Sequence, residues 1–371
     1  MELMIAQLRK IKGVSQQQLA EYLGVTYQAV SKWETKAAFP DITLLPQIAN
    51  YFEVSVDEVL GLRPIGNPRY IPRNTDDRTL WKNREHIINN NRMLFWNEDY
   101  LSFLIKDVWK IRKPVDIIEF CCCDGDLGAR LLKLLPEGST YTGIDSEYLV
   151  SLAERNFKKK GLQGEFIVSD IYSYKTQKRY DLSICQAALR HSNRPYEILE
   201  CMKNVVKYNG LVVSIEINRE IENVGMYANG MDYEYMCTAF DWRRLWMKEL
   251  ECEGRDYAIA FRVPFYMKQI GLRDVDCRMN DKVTLITPKM KEFKQYRDAL
   301  AISRSWTTND STESNDEKNS LNDFMMSRGY KRTEVNDLEQ FQRKMTEYMQ
   351  SEDENFGILQ IFGFIITYGR I

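Results

Sequence analysis

The sequence predicts an α + α/β chain in which a small all-helical domain precedes a larger doubly wound sheet. Three observations predict it. Residues 1 to 62 carry helical spacing punctuated by glycines and helix-capping residues. The stretch GLRPIGNPRYIPRN, residues 61–74, breaks that spacing with glycine and proline. From Pro114 onward, apolar runs of strand length alternate with helical segments, the pattern of parallel strands joined by crossover helices.

Length and composition agree with this division. A chain of 371 residues with 44% hydrophobic side chains is long enough for about two separate cores. A formal charge of -2 excludes a generally basic nucleic-acid coat, so contact with nucleic acid has to be local. No run approaches the ~18 apolar residues that cross a bilayer, and MELMIAQLRKIKG lacks the basic flank and apolar core of a secretory signal, so a cytoplasmic protein without a membrane partner is expected. Cys121, Cys122 and Cys123 are consecutive and five more cysteines are scattered singly, with no Cys-x-x-Cys pair. With only His86 and His191 beside them, no metal is expected, and unpaired thiols suit a reducing compartment.

The expected order is a helical domain at 1–62, a linker at 63–77, a helical cap at 78–113 and the α/β domain at 114–371. NRMLFWNEDYLSFLIKDVW gives the cap its helical spacing. VDIIEF, TYTGID, EFIVSD, DLSICQ and LVVSIEIN supply strands, with LGARLLKLL and YLVSLAERNFKKK as crossover helices. DVDCRMNDKVTLITP resumes strand character, polar residues near 305–322 are expected to be a flexible loop, and FGILQIFGFIITYGRI is expected to return to the sheet as one apolar strand.

In the first domain Ser15 caps QQQLAEYLG, Gly24 supplies a tight turn, and Thr26 caps YQAVSKWE. Leu19, Ala20, Leu23, Val25, Val30 and Trp33 then face inward, and Tyr27, Gln28, Ser31 and Lys32 face outward. Gln28 suits an adenine edge, Lys32 a phosphate or guanine. The run from Ser15 to Gly61 resembles the Cro/repressor (Xre-type) helix-turn-helix family. The resemblance implies a five-helix domain that binds double-stranded DNA, with Gln16 on backbone phosphate and Thr26, Tyr27, Gln28 and Lys32 facing DNA. A bundle used only for dimerisation or partner binding is the alternative. Five basic against seven acidic residues in this segment weaken a single copy on DNA, so a homodimer reading two half-sites is expected.

In the second domain an apolar strand ends in Glu119, passes a loop of small residues and enters a helix, which is where an open α/β sheet binds ligand. Gly125 and Gly128 are expected to let backbone approach that ligand. Asp145, closing the next strand, suits two ribose hydroxyls. A nicotinamide dinucleotide would require Gly-x-Gly-x-x-Gly, where this chain has Cys-x-Cys-x-Gly-x-x-Gly. The order and spacing resemble class I S-adenosylmethionine-dependent methyltransferases, with their Rossmann-like sheet, over about 78–288 with a last strand at 358–370. The resemblance implies S-adenosylmethionine as cofactor. Glu119, Cys121, Cys122, Cys123, Gly125 and Leu127 would hold its methionine end, Asp145 the ribose, Ser169, Asp170 and Ile171 the adenine, with Gln186 and Ala187 facing the sulfonium. Cys121 and Cys123 stand where that family has glycines, and small-residue packing is the favoured reading for all three thiols.

His191 is the candidate catalytic base, with a hydrogen-bonded structural role as the alternative; Glu216 and Asn218 also fall at the site's edge. Tyr227, Tyr233, Tyr235, Trp242 and Trp246 form either a lid over an organic acceptor or core. Cys185, Gln186, Ala187 and Ala188 replace the Asp/Asn-Pro-Pro-Tyr/Phe of DNA amino-methylating enzymes, so a small-molecule methyl acceptor is expected. The functional expectation is a transcriptional regulator carrying a methyltransferase domain; the alternative is a non-catalytic regulator that senses S-adenosylmethionine or a related metabolite.

Overall fold

Helix formation at the N-terminus follows the caps. Helix α1 (Ile5–Lys12) stops at Gly13, α2 (Gln16–Leu23) starts under a Ser15–Gln18 capping box and stops at Gly24, and α3 (Tyr27–Glu34) starts where the Thr26 side chain accepts from the Ala29 N–H. Gly24 has φ 66°, the left-handed turn that sets α3 across α2. Helices α4 (Leu45–Phe52) and α5 (Val56–Val59) close the bundle around Ile5, Leu8, Leu19, Ala20, Val30, Trp33, Ile48 and Val59. Of the residues expected inside, only Val25 is half-buried.

The computed structural model describes residues 3–62, 70–73, 85–307 and 315–371. The chain divides into two units, residues 1–72 with 313–335, and residues 73–312 with 336–371. Most of the expected linker therefore lies outside the described residues, as do 74–84 of the linker and cap. Two boundaries differ from expectation. Residues 313–335 belong with the first unit, and residues 315–322, expected as loop, open helix Asn315–Met326. Their polarity concealed a continuation into Leu321, Phe324 and Met325, of which Met325 is buried.

In the second unit a seven-stranded sheet runs β3-β2-β1-β4-β5-β10-β7. Its strands are β1 (Asp116–Phe120), β2 (Thr140–Asp145), β3 (Glu165–Val168), β4 (Tyr180–Gln186), β5 (Val206–Ile217), β7 (Arg273–Met279) and β10 (Phe364–Arg370). The first five are parallel neighbours; β10 runs antiparallel between β5 and β7. Helices Asp126–Leu134 and Glu147–Lys159 are the crossovers flanking β2. The expected cap is part of the same core: Leu94, Phe95, Trp96, Leu101, Leu104, Ile105 and Trp109 pack with Ile117, Val213, Phe364 and Ile366.

The final apolar run is two strands. Gly363, at φ 69°, turns the chain between β9 (Ile358–Ile361) and β10. Strand β9 leaves the large sheet and pairs with β6 (Met226–Ala228) and β8 (Val283–Ile286) in a separate antiparallel sheet. The run DVDCRMNDKVTLITP is divided between the two sheets in the same way.

Candidate active site and DNA-binding face

At the carboxyl end of β1 the chain turns through Cys121–Gly125 into the helix beginning at Asp126. Cys121 (φ 56°), Cys123 (52°) and Gly125 (70°) are all left-handed. For a residue with a Cβ this conformation costs about 1–2 kcal/mol. Backbone bonds hold it: the Cys122 N–H donates to the Ile144 carbonyl (3.1 Å), the Gly125 N–H to the Cys122 carbonyl (2.8 Å), and the Cys123 N–H to Asp145 Oδ2 (2.8 Å). The loop is therefore bound to the end of β2, and Asp145 positions it; Asp145 Oδ1 accepts from the Ser146 N–H at 2.8 Å.

The three thiols have different surroundings. Cys122 is buried against β2, where a Cβ on Gly143 would lie 2.9 Å from its Sγ. Cys123 packs beside Ile88, Leu149 and Leu152, and its Sγ accepts from Arg92 Nη2 at 3.3 Å. Burial pushes the Cys123 thiol up to about 12, so it is no thiolate nucleophile. Cys121 is half-buried.

The two glycines make room for core side chains. A Cβ on Gly128 would run into the ring of Tyr141, and one on Gly125 would come within 2.9 Å of Phe157. Tyr141 and Phe157 stack at 5.0 Å behind the loop, and the Tyr141 hydroxyl donates to Glu119 Oε2 at 2.6 Å. Glu119 is 2% exposed; burial, against the pull of that hydrogen bond, pushes its carboxyl up to about 8. The shift favours the protonated carboxyl at neutral pH.

Other expected residues take up distinct positions. Leu127 is a core side chain, which leaves only its backbone for a ligand. The Ser169 N–H donates to the Asp145 carbonyl at 3.2 Å, bringing the end of β3 to the same edge; Asp170 is exposed and Ile171 packs into a neighbouring cluster. Gln186 Oε1 accepts from Trp96 Nε1 at 2.7 Å, and Ala187 follows at φ 54°. That left-handed turn directs the Ala188 and Leu189 N–H groups onto Glu216 Oε1, at 3.0 and 2.9 Å. Burial pushes the Glu216 carboxyl up to about 7. His191 Nε2 accepts from Arg190 Nε at 3.1 Å, so the lone pair a base would use is engaged.

Tyr227 sits on the small sheet and lines a depression of about 450 Å³ with Asn229, Leu285 and Phe356, apart from every residue expected to hold a cofactor. Tyr235 packs against the main core, Tyr233 is exposed, and Trp242 and Trp246 are half-buried.

Sequence reasoning missed Arg92, Trp96 and Tyr141. Arg92 pairs with Asp124 at 2.7 Å beside the loop; burial opposes its charge, but Asp124, Cys123 and Asp126 together outweigh burial and leave the guanidinium more firmly protonated than usual. A lone arginine and tryptophan in an amphipathic segment carry no local signal of what they will touch 31 and 90 residues later.

On the first unit, Thr26, Tyr27, Gln28 and Lys32 are exposed and Ser31 is half-buried along α3. Gln16 Nε2 donates to Glu34 Oε2 at 2.7 Å, and Arg9 pairs with the same carboxylate at 2.6 Å, tying α1, α2 and α3 together.

Residues 5–59 match the model of the helix-turn-helix family, and residues 111–254 match that of a methyltransferase domain. The chain joins a helix-turn-helix domain to a methyltransferase domain. Its first domain is 43% identical over 57 residues to the HTH-type transcriptional activator BcrR of Enterococcus faecalis, covering 15% of this chain and 28% of that one. It is 42% identical over 52 residues to the SPbeta prophage-derived HTH-type transcriptional regulator YonR of Bacillus subtilis (strain 168), covering 14% of this chain and 48% of that one. The chain thus spans less than half the length of these relatives. Among solved structures it is similar to a methyltransferase from Bacillus halodurans C-125, at 13% identity and TM-score 0.40, covering 72% of this chain and 97% of that one. It is also similar to the [4+2]-cyclase SpnF, at 14% identity and TM-score 0.44, covering 82% and 98%.

Proposed function

We propose that this protein is a DNA-binding transcriptional regulator whose second domain is an S-adenosylmethionine-dependent methyltransferase acting on a small molecule. One observation carries the enzymatic half: Glu119 and Asp145 end adjacent parallel strands on either side of a left-handed loop, at the edge where open α/β sheets take ligands.

The donor set fits the cofactor. Asp145 accepts the Cys123 N–H at Oδ2 and the Ser146 N–H at Oδ1, and a carboxylate at this strand end suits ribose hydroxyls. Glu119 is a buried carboxyl able to exchange its proton for an ammonium group, and Arg92 offers a guanidinium beside Cys123 for a carboxylate. Ser169, Asp170 and Ile171 would face adenine, and Gln186 and Ala187 the sulfonium. When bound, the cofactor supplies an electrophilic methyl group. The protein's part is to position the acceptor in line with it and to exclude water. Gln186, fixed by Trp96, orients that side of the site. Glu216, with a carboxyl near 7, is better placed than His191 to accept the acceptor's proton.

For the DNA half, α3 would enter the major groove, with Thr26, Tyr27, Gln28, Ser31 and Lys32 toward DNA and Gln16 near phosphate. Arg9 and Lys12 are paired with Glu34 and Glu53, which leaves few cations for phosphate and supports a homodimer on two half-sites. Among the described residues no helix is long and apolar enough to cross a membrane, and we place the protein in the cytoplasm with its DNA.

Calorimetry with S-adenosylmethionine, then turnover against a metabolite extract, tests the enzyme. Absence of binding overturns the cofactor assignment. Binding without methylated product in any extract overturns catalysis and leaves a metabolite sensor. Failure of the intact protein to select any duplex at low salt overturns the DNA-binding assignment.

A further inference from the structure

We propose that the methyl acceptor carries an anionic group, a carboxylate or a phosphate, held by Arg190 and Asn218 where β4 and β5 end. This deepens the methyltransferase reading and rests on it for the word acceptor. The binding site itself is argued from unmatched polar groups.

Of the carboxylates around Arg190, Glu222 is engaged by other arginines and Glu216 is engaged at one oxygen. Glu222 is shared by Arg219, a direct pair, and Arg304, at 3.7 Å. Glu216 is buried, and its Oε1 receives the Ala188 and Leu189 N–H groups. Arg190 lies close enough to Arg219, Glu222 and Glu216 for their charges to act on it, yet it makes no ion pair among the described residues. Its Nε donates to His191, and its Nη1 is sealed from solvent with no hydrogen-bond partner. A buried guanidinium with no direct ion pair is disfavoured. Burial, reinforced by the charge of Arg219, lowers Arg190 to about 10.

Two further groups at this edge are unsatisfied. Asn218 is fully buried; its Oδ1 caps helix Arg219–Val224 by accepting from the Glu220 and Ile221 N–H groups, and its Nδ2 has no partner. Glu216, 1% exposed, has no partner for Oε2. Two buried donors, one of them cationic, with one buried acceptor, match a ligand bearing an anion and a hydrogen-bond donor. Unpartnered buried groups of this kind are rare and call for a ligand or water. An apolar acceptor would leave all three unsatisfied, so the pattern favours a charged one. Arg190 is half-buried as a residue.

The test is calorimetry on the full chain with inorganic phosphate and with acetate, at constant ionic strength in chloride. Saturable binding of at least one anion is expected. Arg190→Gln should weaken it about tenfold or more, since a charge-assisted bond is lost. Glu216→Gln should tighten it, because a like charge is removed. Preference for phosphate points to a phosphate monoester acceptor, preference for acetate to a carboxylic acid. No saturable binding of either anion overturns the proposal, as does binding that both variants leave unchanged. If Arg190→Gln fails to fold, the sign of the Glu216→Gln effect decides. S-adenosylmethionine is titrated on the same sample. Anion binding without cofactor binding keeps this site and removes the methyltransferase reading; the reverse removes this site alone.

Discussion

Glu119 should make the second domain lose stability as pH rises, and Glu119→Gln should abolish that loss. The unfolded chain ionises this carboxyl near its ordinary value of 4.5, whereas burial keeps it protonated in the folded chain up to about 8. Between those values the folded form binds more protons than the unfolded, so stability falls with rising pH and is level below and above. The interval corresponds to about 5 kcal/mol, an order-of-magnitude figure. Glu216, raised to about 7, adds to the slope in the same direction. Glutamine keeps an acceptor for the Tyr141 hydroxyl and carries no charge to bury, so Glu119→Gln should match wild type near pH 5 and exceed it by several kcal/mol above pH 8. Urea unfolding followed by tryptophan fluorescence at a series of pH values reads this, because six of the seven tryptophans lie beyond residue 72. The same proton couples to the cofactor: an ammonium group needs the ionised form, so affinity should rise about tenfold per pH unit toward 8, with a proton released on binding. A wild-type midpoint level between pH 5 and 8, or an unchanged slope in Glu119→Gln, would refute the reasoning.

Three other outcomes follow from the geometry. Cys123→Gly relieves about 1–2 kcal/mol of left-handed strain but gives up the Arg92 contact and adds unfolded-state entropy, so its melting temperature should stay near wild type while Cys123→Val falls well below it. Glu34→Ala unties Arg9 and Gln16 and should destabilise the helix-turn-helix unit by about 1–3 kcal/mol, read by urea denaturation of its circular dichroism; no change would mean the pair is inert. Gly128→Ala drives a methyl group into the Tyr141 ring and should cost about 1–3 kcal/mol and weaken cofactor binding, because the displaced ring carries the Glu119 hydrogen bond.

Short-range chemistry was legible in the sequence. Ser15, Gly24 and Thr26 act within three or four residues of themselves, so the helix starts and the left-handed turn follow from local hydrogen bonding and sterics. The parallel strands were legible for a related reason: a strand buried on both faces has to be apolar throughout, as Ile117, Ile118 and Phe120 are. Glu119 and Asp145 stood out because an acidic residue at the end of such a run has few structural uses.

What tertiary structure decided involves partners far apart in sequence. Composition marks 356–371 as apolar, but only the register against Met226–Ala228 and Val206–Ile217 divides it between two sheets. Gly125 and Gly128 read as space for a ligand, and only the stacking of Tyr141 on Phe157 shows that they make space for the core as well. The helices of the first 62 residues could be read from caps and spacing, because each signal acts within a turn, whereas their DNA-binding reading rests on family resemblance. Whether Glu119 holds a proton, whether His191 has a free lone pair, and whether Arg190 has a direct ion pair depend on the charges and solvent that packing brings together.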